Sequence, residues 1–220
     1  LKPEEKDAYF LRGSAELELG DYESAKADFD KAISMDPKNY DRMIEIYEAL
    51  ADYGYREVGQ EYLQNVLNTA KQLDSYDSGR IYYYLGDYQK AYLALEEAKG
   101  KGGVDSYLYL GKAYAATGDY NYASSVYSNY LSKQGPDAEI YNQLGLCEMA
   151  KKDYQKALEA FQAGKQIEGN SLMQTLSFNE IVAYEYLQDY QKAAVLLKAY
   201  LQNYPDDQAA IREQQFLSTR

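Results

Sequence analysis

A short turn motif recurs along this chain of 220 residues at nearly constant spacing. Three copies read Gly-Asp-Tyr, two keep only the Asp-Tyr pair, and one is the degenerate Gly-Tyr-Arg. They lie at 20–22, 54–56, 86–88, 118–120, 152–154 and 188–190. Three residues after each copy comes a small side chain, in steps of 34, 32, 32, 34 and 36 residues: Ala25, Gly59, Ala91, Ala123, Ala157 and Ala193. A period of this length indicates repeated structural units, each too small to fold alone.

The repeated residues have a structural explanation. Glycine just past a helix end adopts the left-handed cap conformation at little cost, and the following Asp can cap the next helix. The motif therefore predicts one helix ending and another beginning within a tight turn. A large side chain follows each small residue by four positions, on the same helical face. These large residues are Phe29, Leu63, Leu95, Tyr127, Phe161 and Leu197. We expect an all-α chain of stacked helical hairpins, since no alternating apolar pattern bounded by hairpin turns predicts strands.

One copy carries the pattern most completely: Tyr107-x2-Leu110-Gly111-x2-Tyr114, then Gly118-Asp119-Tyr120, Ala123 and Tyr127. This set resembles the tetratricopeptide repeat, whose period is about 34 residues. The resemblance covers about residues 6–205. It implies a right-handed α-solenoid of about six helix-turn-helix repeats, in which the first helix of each repeat lines a concave groove.

The repeats divide the chain into an array and an end segment. The array spans 1–205, with repeats at about 6–39, 40–71, 72–103, 104–137, 138–173 and 174–205. Residues 206–220 are predicted to form a C-terminal capping helix over the last repeat. Two copies depart from the pattern, because Tyr47 and Ile181 stand where the other repeats have glycine at the helix contact.

Composition excludes several classes of function. The 23 Lys and Arg against 35 Asp and Glu give a net charge of −12, which argues against binding nucleic acid or anionic lipid. With no His and one Cys, the chain cannot form a His-based catalytic triad or a zinc site built on Cys and His. We interpret Cys147 as a buried structural thiol. No apolar run approaches the roughly 20 residues of a membrane span, so we expect no direct membrane insertion of this fragment. We predict no enzymatic activity, no cofactor and no metal.

Tyrosine is the unusual component, with 27 copies against 5 Phe. Packing and turn positions of the repeat account for about half of them. The resemblance places others on the groove side, among basic and amide side chains. Our candidate partner-binding residues are Tyr76, Arg80, Tyr83, Tyr84, Tyr109, Lys112, Asn142, Gln143, Phe178 and Asn179. Aromatic rings suit contact surfaces, and amides can bond both groups of a peptide backbone.

The leading functional hypothesis is a scaffold that binds a protein or an extended peptide in its groove. One alternative is a structural or self-assembling protein, suggested by surplus tyrosines such as Tyr53, Tyr55, Tyr62 and Tyr92. Another is a regulatory module that senses a peptide. The compartment stays open; the Leu1 start and the tyrosine content favour an exported mature fragment, which could carry a lipid anchor, over a cytoplasmic protein.

Overall fold

The computed structural model describes residues 3–220, with side chains from Asp7 onward. This part of the chain contains thirteen α-helices and no strand. The helices are α1 (Pro3–Glu18), α2 (Tyr22–Met35), α3 (Tyr40–Asp52), α4 (Arg56–Thr69), α5 (Ser75–Tyr84), α6 (Tyr88–Ala98), α7 (Gly103–Ala116), α8 (Tyr120–Gln134), α9 (Ala138–Ala150), α10 (Tyr154–Lys165), α11 (Met173–Tyr186), α12 (Tyr190–Asn203) and α13 (Gln208–Leu217). None of them is both long enough and apolar enough to cross a membrane.

The turns within the hairpins have the geometry that the motif predicts. Gly118 ends α7 with a φ of 84°. The side chain of Asp119 then accepts a hydrogen bond from the backbone N–H of Tyr122, at 3.0 Å, and so caps α8. Equivalent caps are made by Asp21, Asp87, Asp153 and Asp189. The degenerate second turn differs, because Tyr55 makes no side-chain cap for α4.

In four hairpins a large residue of the second helix packs on a glycine of the first. In α7 and α8, Tyr127 is fully buried against Gly111. In the second hairpin, Tyr47 occupies the first-helix position and the glycine lies on the other helix. A Cβ on Gly59 would come within 3.1 Å of the Tyr47 Cα. The close approach of α3 and α4 is thus kept by exchanging the large and the small residue.

The chain divides into two compact units, Leu1–Ala98 and Lys99–Arg220. In the first unit, Ile46 and Leu50 of α3 pack against Phe29 of α2 and so join the first two hairpins. Ile81 of α5 packs on Met43 and Leu63, and joins the third hairpin to the second.

The second unit is built in the same way. Ile140 and Cys147 of α9 share a core with Tyr127, and Leu176 of α11 shares one with Phe161. Helix α13 buries Leu217 and Ala210 against α12. In both units the apolar side of a hairpin is therefore covered by the next element along the chain.

Candidate functional site

Arg80 lies on α5 in the first unit and is 7% exposed. Its guanidinium donates hydrogen bonds to Asp41 of α3, at 2.5 Å, and to Asp77 of its own helix, at 2.6 Å. The same group sits 4.3 Å from the ring centroid of Tyr76. Burial raises the pKa of Asp77 even though Arg80 lowers it. The positive charge predicted for this part of the groove is therefore present but is neutralised by two carboxylates.

Tyr83 and Tyr84 line a cavity of about 420 Å³ at the C-terminal ends of α3 and α5. The ring centroids of Tyr83 and Tyr84 are 5.4 Å apart at 81°, and Tyr88 lies 5.7 Å from Tyr83. The ring of Tyr47 meets that of Tyr84 at 5.2 Å and 60°. We call this cavity the tyrosine pocket; its lining is Tyr47, Glu48, Ala51, Asp52, Arg56, Tyr83, Tyr84 and Tyr88.

Polar groups fix the walls of the tyrosine pocket. The hydroxyl of Tyr84 donates a hydrogen bond of 2.6 Å to Glu48 Oε1. Arg56 Nη1 donates one of 2.9 Å to the hydroxyl of Tyr47. Glu48 and Asp52 are exposed and lie four residues apart on α3, hence on the same side of that helix. The pocket thus combines aromatic rings with two carboxylates and one guanidinium.

Two of the four rings were not among the candidate residues. Tyr88 follows the Gly-Asp turn, and it is one of the packing and turn positions of the repeat. Tyr47 stands at the glycine position of the helix contact, and it borders the pocket although it is only 4% exposed. The available signal was the spacing of Tyr84 and Tyr88, which are four residues apart on either side of a turn.

In the second unit, Lys112 and Gln143 converge on one carboxylate. Lys112 Nζ lies 3.4 Å from Glu139 Oε1, and Gln143 Nε2 donates to the same oxygen at 2.9 Å. Tyr109 lies half-buried on α7, three residues before Lys112. Helices α7 and α9 are thereby joined through their polar side chains.

The amides of the second unit also meet each other. Asn179 Nδ2 of α11 donates a 2.9 Å hydrogen bond to Asn142 Oδ1 of α9, and Asn142 is 5% exposed. Phe178 packs against Tyr200 with centroids 5.7 Å apart, as part of the core between α11 and α12. The two amides predicted to contact a peptide backbone are thus hydrogen-bonded to each other.

A common pattern links these contacts. Polar side chains on the first helix of one hairpin bond to the first helix of the next, as in Arg80 to Asp41 and Asn179 to Asn142. Arg42 of α3 likewise donates to Asp7 of α1 at 2.6 Å. Among the predicted groove residues, Arg80, Lys112, Asn142 and Asn179 therefore link the first helices of successive hairpins. Tyr83 and Tyr84 line the tyrosine pocket.

Reactive chemistry has little support in the described side chains. Cys147 is 4% exposed, and burial raises the pKa of its thiol to about 12, so the thiolate is scarce at neutral pH. From Asp7 onward, no group of three or more acidic or Cys side chains is placed to hold a metal ion.

The acidity of the chain is concentrated in its first unit. Residues 1–98 contain 11 Lys and Arg against 21 Asp and Glu, a formal charge of −10. Residues 99–220 contain 12 against 14, a charge of −2. The tyrosine pocket therefore lies in the strongly acidic unit.

Models of sequence families match three parts of the chain. Three models described as tetratricopeptide repeat match residues 6–39, 108–171 and 178–207. No curated protein matches the sequence significantly.

Solved structures with the same fold cover nearly the whole chain. PilW, a type IV pilus biogenesis factor, is 15% identical with a TM-score of 0.68 over 98% of this chain and 99% of its own. PilF of Pseudomonas aeruginosa is 18% identical with a TM-score of 0.57, covering 99% and 98%. YrrB, a tetratricopeptide repeat protein described as having an unusual peptide-binding site, is 20% identical with a TM-score of 0.56, covering 85% and 97%. At these identities the likeness concerns the fold.

Proposed function

This chain belongs to the tetratricopeptide repeat family, and from that premise we propose that it is a non-catalytic scaffold that binds protein segments or extended peptides. The binding surface is the side formed by the first helices of the hairpins. We take residues 1–205 as the repeat array and 206–220 as its covering segment. The observation that carries the proposal is the tyrosine pocket, which opens beside α3 and α5 in the first unit.

The tyrosine pocket has the properties of a contact site. Tyrosine offers a large, rigid, amphipathic surface, and it loses little conformational entropy when a partner binds. The Tyr84 hydroxyl is already bonded to Glu48, so that ring is held in place before any partner arrives. Arg80 links the same helix, α5, to α3 through its hydrogen bond to Asp41, and it also bonds to Asp77 of α5.

The second unit contributes a different surface. Lys112 of α7 and Gln143 of α9 contact Glu139, Tyr109 lies on α7, and Asn179 lies on α11. We assign these residues a supporting role in partner contact, because their polar groups are already engaged between hairpins. YrrB, which has the same fold and an unusual peptide-binding site, is consistent with such a role.

Selection from a random peptide library on the full chain tests the proposal. A selected peptide should lose at least about tenfold in affinity when Tyr83 and Tyr84 are both changed to Ala, because two aromatic contacts disappear. Tyr53→Ala is the matched control, since it removes an exposed ring of the same unit outside the pocket. Equal affinity of the double variant and the control would reject this surface, and failure to select any peptide would reject the scaffold role.

The self-assembling alternative has less support. Of the surplus tyrosines, Tyr55 stacks on Tyr22 at 4.2 Å, and the hydroxyl of Tyr62 donates a 2.6 Å hydrogen bond to Asp30. These two rings therefore serve contacts between neighbouring hairpins. Light scattering over a concentration series separates the alternatives, because self-assembly raises the molar mass with concentration. A peptide-sensing role would instead appear as thermal stabilisation by the selected peptide.

A further inference from the structure

The rings of the tyrosine pocket form one aromatic cluster. Tyr47 and Tyr84 meet at 60°, Tyr83 and Tyr84 at 81°, and Tyr83 and Tyr88 at 56°. Pairs at these angles meet edge to face or tilted, so the four rings pack as one cluster that borders the cavity. The face of an aromatic ring is electron-rich and attracts a cation within about 6 Å of its centroid. A cavity of about 420 Å³ accommodates the end of one long side chain.

Two carboxylates border the same space. Glu48 and Asp52 both line the pocket from α3. In the described part of the chain, no cationic side chain forms an ion pair with Asp52. The Tyr84 hydroxyl donates to Oε1 of Glu48, and a carboxylate can accept about four hydrogen bonds. Both carboxylates therefore retain the capacity to accept bonds from a bound donor.

Arg56 is the one cation of the lining, and it raises the possibility of an anionic occupant. Its guanidinium is directed to the hydroxyl of Tyr47 at 2.9 Å. Two carboxylates outnumber it within the pocket, and the unit that holds the pocket carries a formal charge of −10. An incoming carboxylate or phosphate would be repelled, whereas a cation would be attracted over several ångströms.

We infer that the tyrosine pocket binds the cationic side chain of a Lys or Arg residue in the partner peptide. The four rings line the space that the cation enters, and Glu48 and Asp52 accept hydrogen bonds from its N–H groups. This inference rests on the proposed function and adds the chemical class of the ligand. The site selects the partner by charge, and the acidic first unit increases its rate of association.

Capped pentapeptides on the full chain provide the test. The probes are Gly-Gly-Arg-Gly-Gly and Gly-Gly-Lys-Gly-Gly, with Gln or Glu at the centre as controls. In an NMR titration, the Arg and Lys peptides should shift resonances of Tyr83 and Tyr84, and higher salt should weaken the effect. The Gln peptide should bind at least about fivefold more weakly, and the Glu peptide more weakly still.

Two variants of equal charge separate the pocket from the general acidity of the unit. Glu48→Gln with Asp52→Asn should weaken binding of the Arg peptide at least about fivefold. Glu61→Gln with Glu97→Gln removes the same charge from exposed positions of the same unit that lie outside the pocket. This second variant should change the affinity by less than about twofold, since those carboxylates act only through a screened field.

The inference is overturned if the Gln peptide binds as well as the Arg peptide, if both double variants weaken binding equally, or if neither basic peptide binds. The proposed function survives these results provided that a library-selected peptide still depends on Tyr83 and Tyr84. It fails separately if no selected peptide binds the chain.

Discussion

The ring of Tyr127 occupies the space that a side chain on residue 111 would need. A Cβ placed on Gly111 would lie 2.2 Å from Cζ of Tyr127 and 2.5 Å from its hydroxyl oxygen. Tyr127 has no exposed surface, so its ring has no free volume into which it can turn. The close contact between α7 and α8 therefore requires both the glycine at position 111 and the large ring of Tyr127.

Gly111→Ala should therefore destabilise the chain. Overpacking typically costs about 1–3 kcal/mol, and the better helix propensity of Ala returns up to about 1 kcal/mol of it. We expect a net loss of about 1–2 kcal/mol in the free energy of unfolding by urea. In a Tyr127→Leu background the same substitution should cost less, because the clashing ring atoms are gone. A neutral or stabilising Gly111→Ala would show that the two helices can separate freely.

Removing the guanidinium of Arg80 should lower stability more than removing a surface cation does. Arg80→Ala leaves the half-buried Asp77 without its counter-charge, and breaking one side of a buried ion pair costs about 3 kcal/mol. Lys90→Ala is the control, since Lys90 pairs with Asp87 at the surface and its loss should have little effect. Urea unfolding of both variants measures the difference. Equal stabilities would mean that Arg80 is available for a partner and has no structural role.

The sequence could predict local geometry but not the contacts between hairpins. The cap of Asp119 on Tyr122 spans three residues, and its geometry follows from the residue types alone. The partners of Arg80 and Asn142 in the neighbouring hairpin are Asp41 and Asn179, which lie 39 and 37 residues away in the chain. Periodicity indicates which side of a helix a residue occupies. It does not indicate which side chain of the next repeat will meet it.

The same limit applies to the tyrosine pocket. Tyr83 and Tyr84 could be selected because the repeat pattern left them without a packing position. The repeat pattern explains Tyr88 by its place after the turn, but the ring of a residue at such a position can also line a cavity. Tyr47 stands where other repeats have glycine, and its packing depends on Gly59, the small residue on the opposite helix α4.

The stability of the second unit should depend on pH through Glu185 of α11. Burial, together with the adjacent carboxyl group of Glu213 on α13, raises the pKa of Glu185 to about 7. Between about pH 4.5 and 7 the folded chain keeps a proton that the unfolded chain has lost. The free energy of unfolding should therefore fall as the pH rises through this window, by on the order of 1–3 kcal/mol.

Glu213→Gln removes the repulsion, because an amide can donate a hydrogen bond to the ionised Glu185. This variant should flatten the decline when urea unfolding is compared at pH 5 and pH 8. Glu168→Gln is the control, since that exposed carboxyl group lies between α10 and α11, outside the Glu185 and Glu213 pair. If the wild type is as stable at pH 8 as at pH 5, or if both variants behave alike, the assignment to this pair is wrong.

Two turns of the second unit should gain stability from glycine. Lys152 and Gln188 have φ values of 64° and 63°, at the position where Gly20, Gly54, Gly86 and Gly118 stand in the other hairpins. The left-handed conformation costs a residue with a Cβ about 1–2 kcal/mol, and the greater entropy of unfolded glycine offsets part of that gain.

Lys152→Gly and Gln188→Gly should each raise the free energy of unfolding by about 0.5–1 kcal/mol, measured by urea. Their effects should add, because the turns belong to different hairpins. The backbone bonds of the Lys152 turn support this expectation: Asp153 N–H donates to the carbonyl of Glu148 at 2.9 Å, as Asp119 N–H does to that of Tyr114 at 3.0 Å. The reciprocal Gly118→Lys should be destabilising. A loss of stability in the two glycine variants would show that the side chains of Lys152 and Gln188 contribute more than their backbone strain costs.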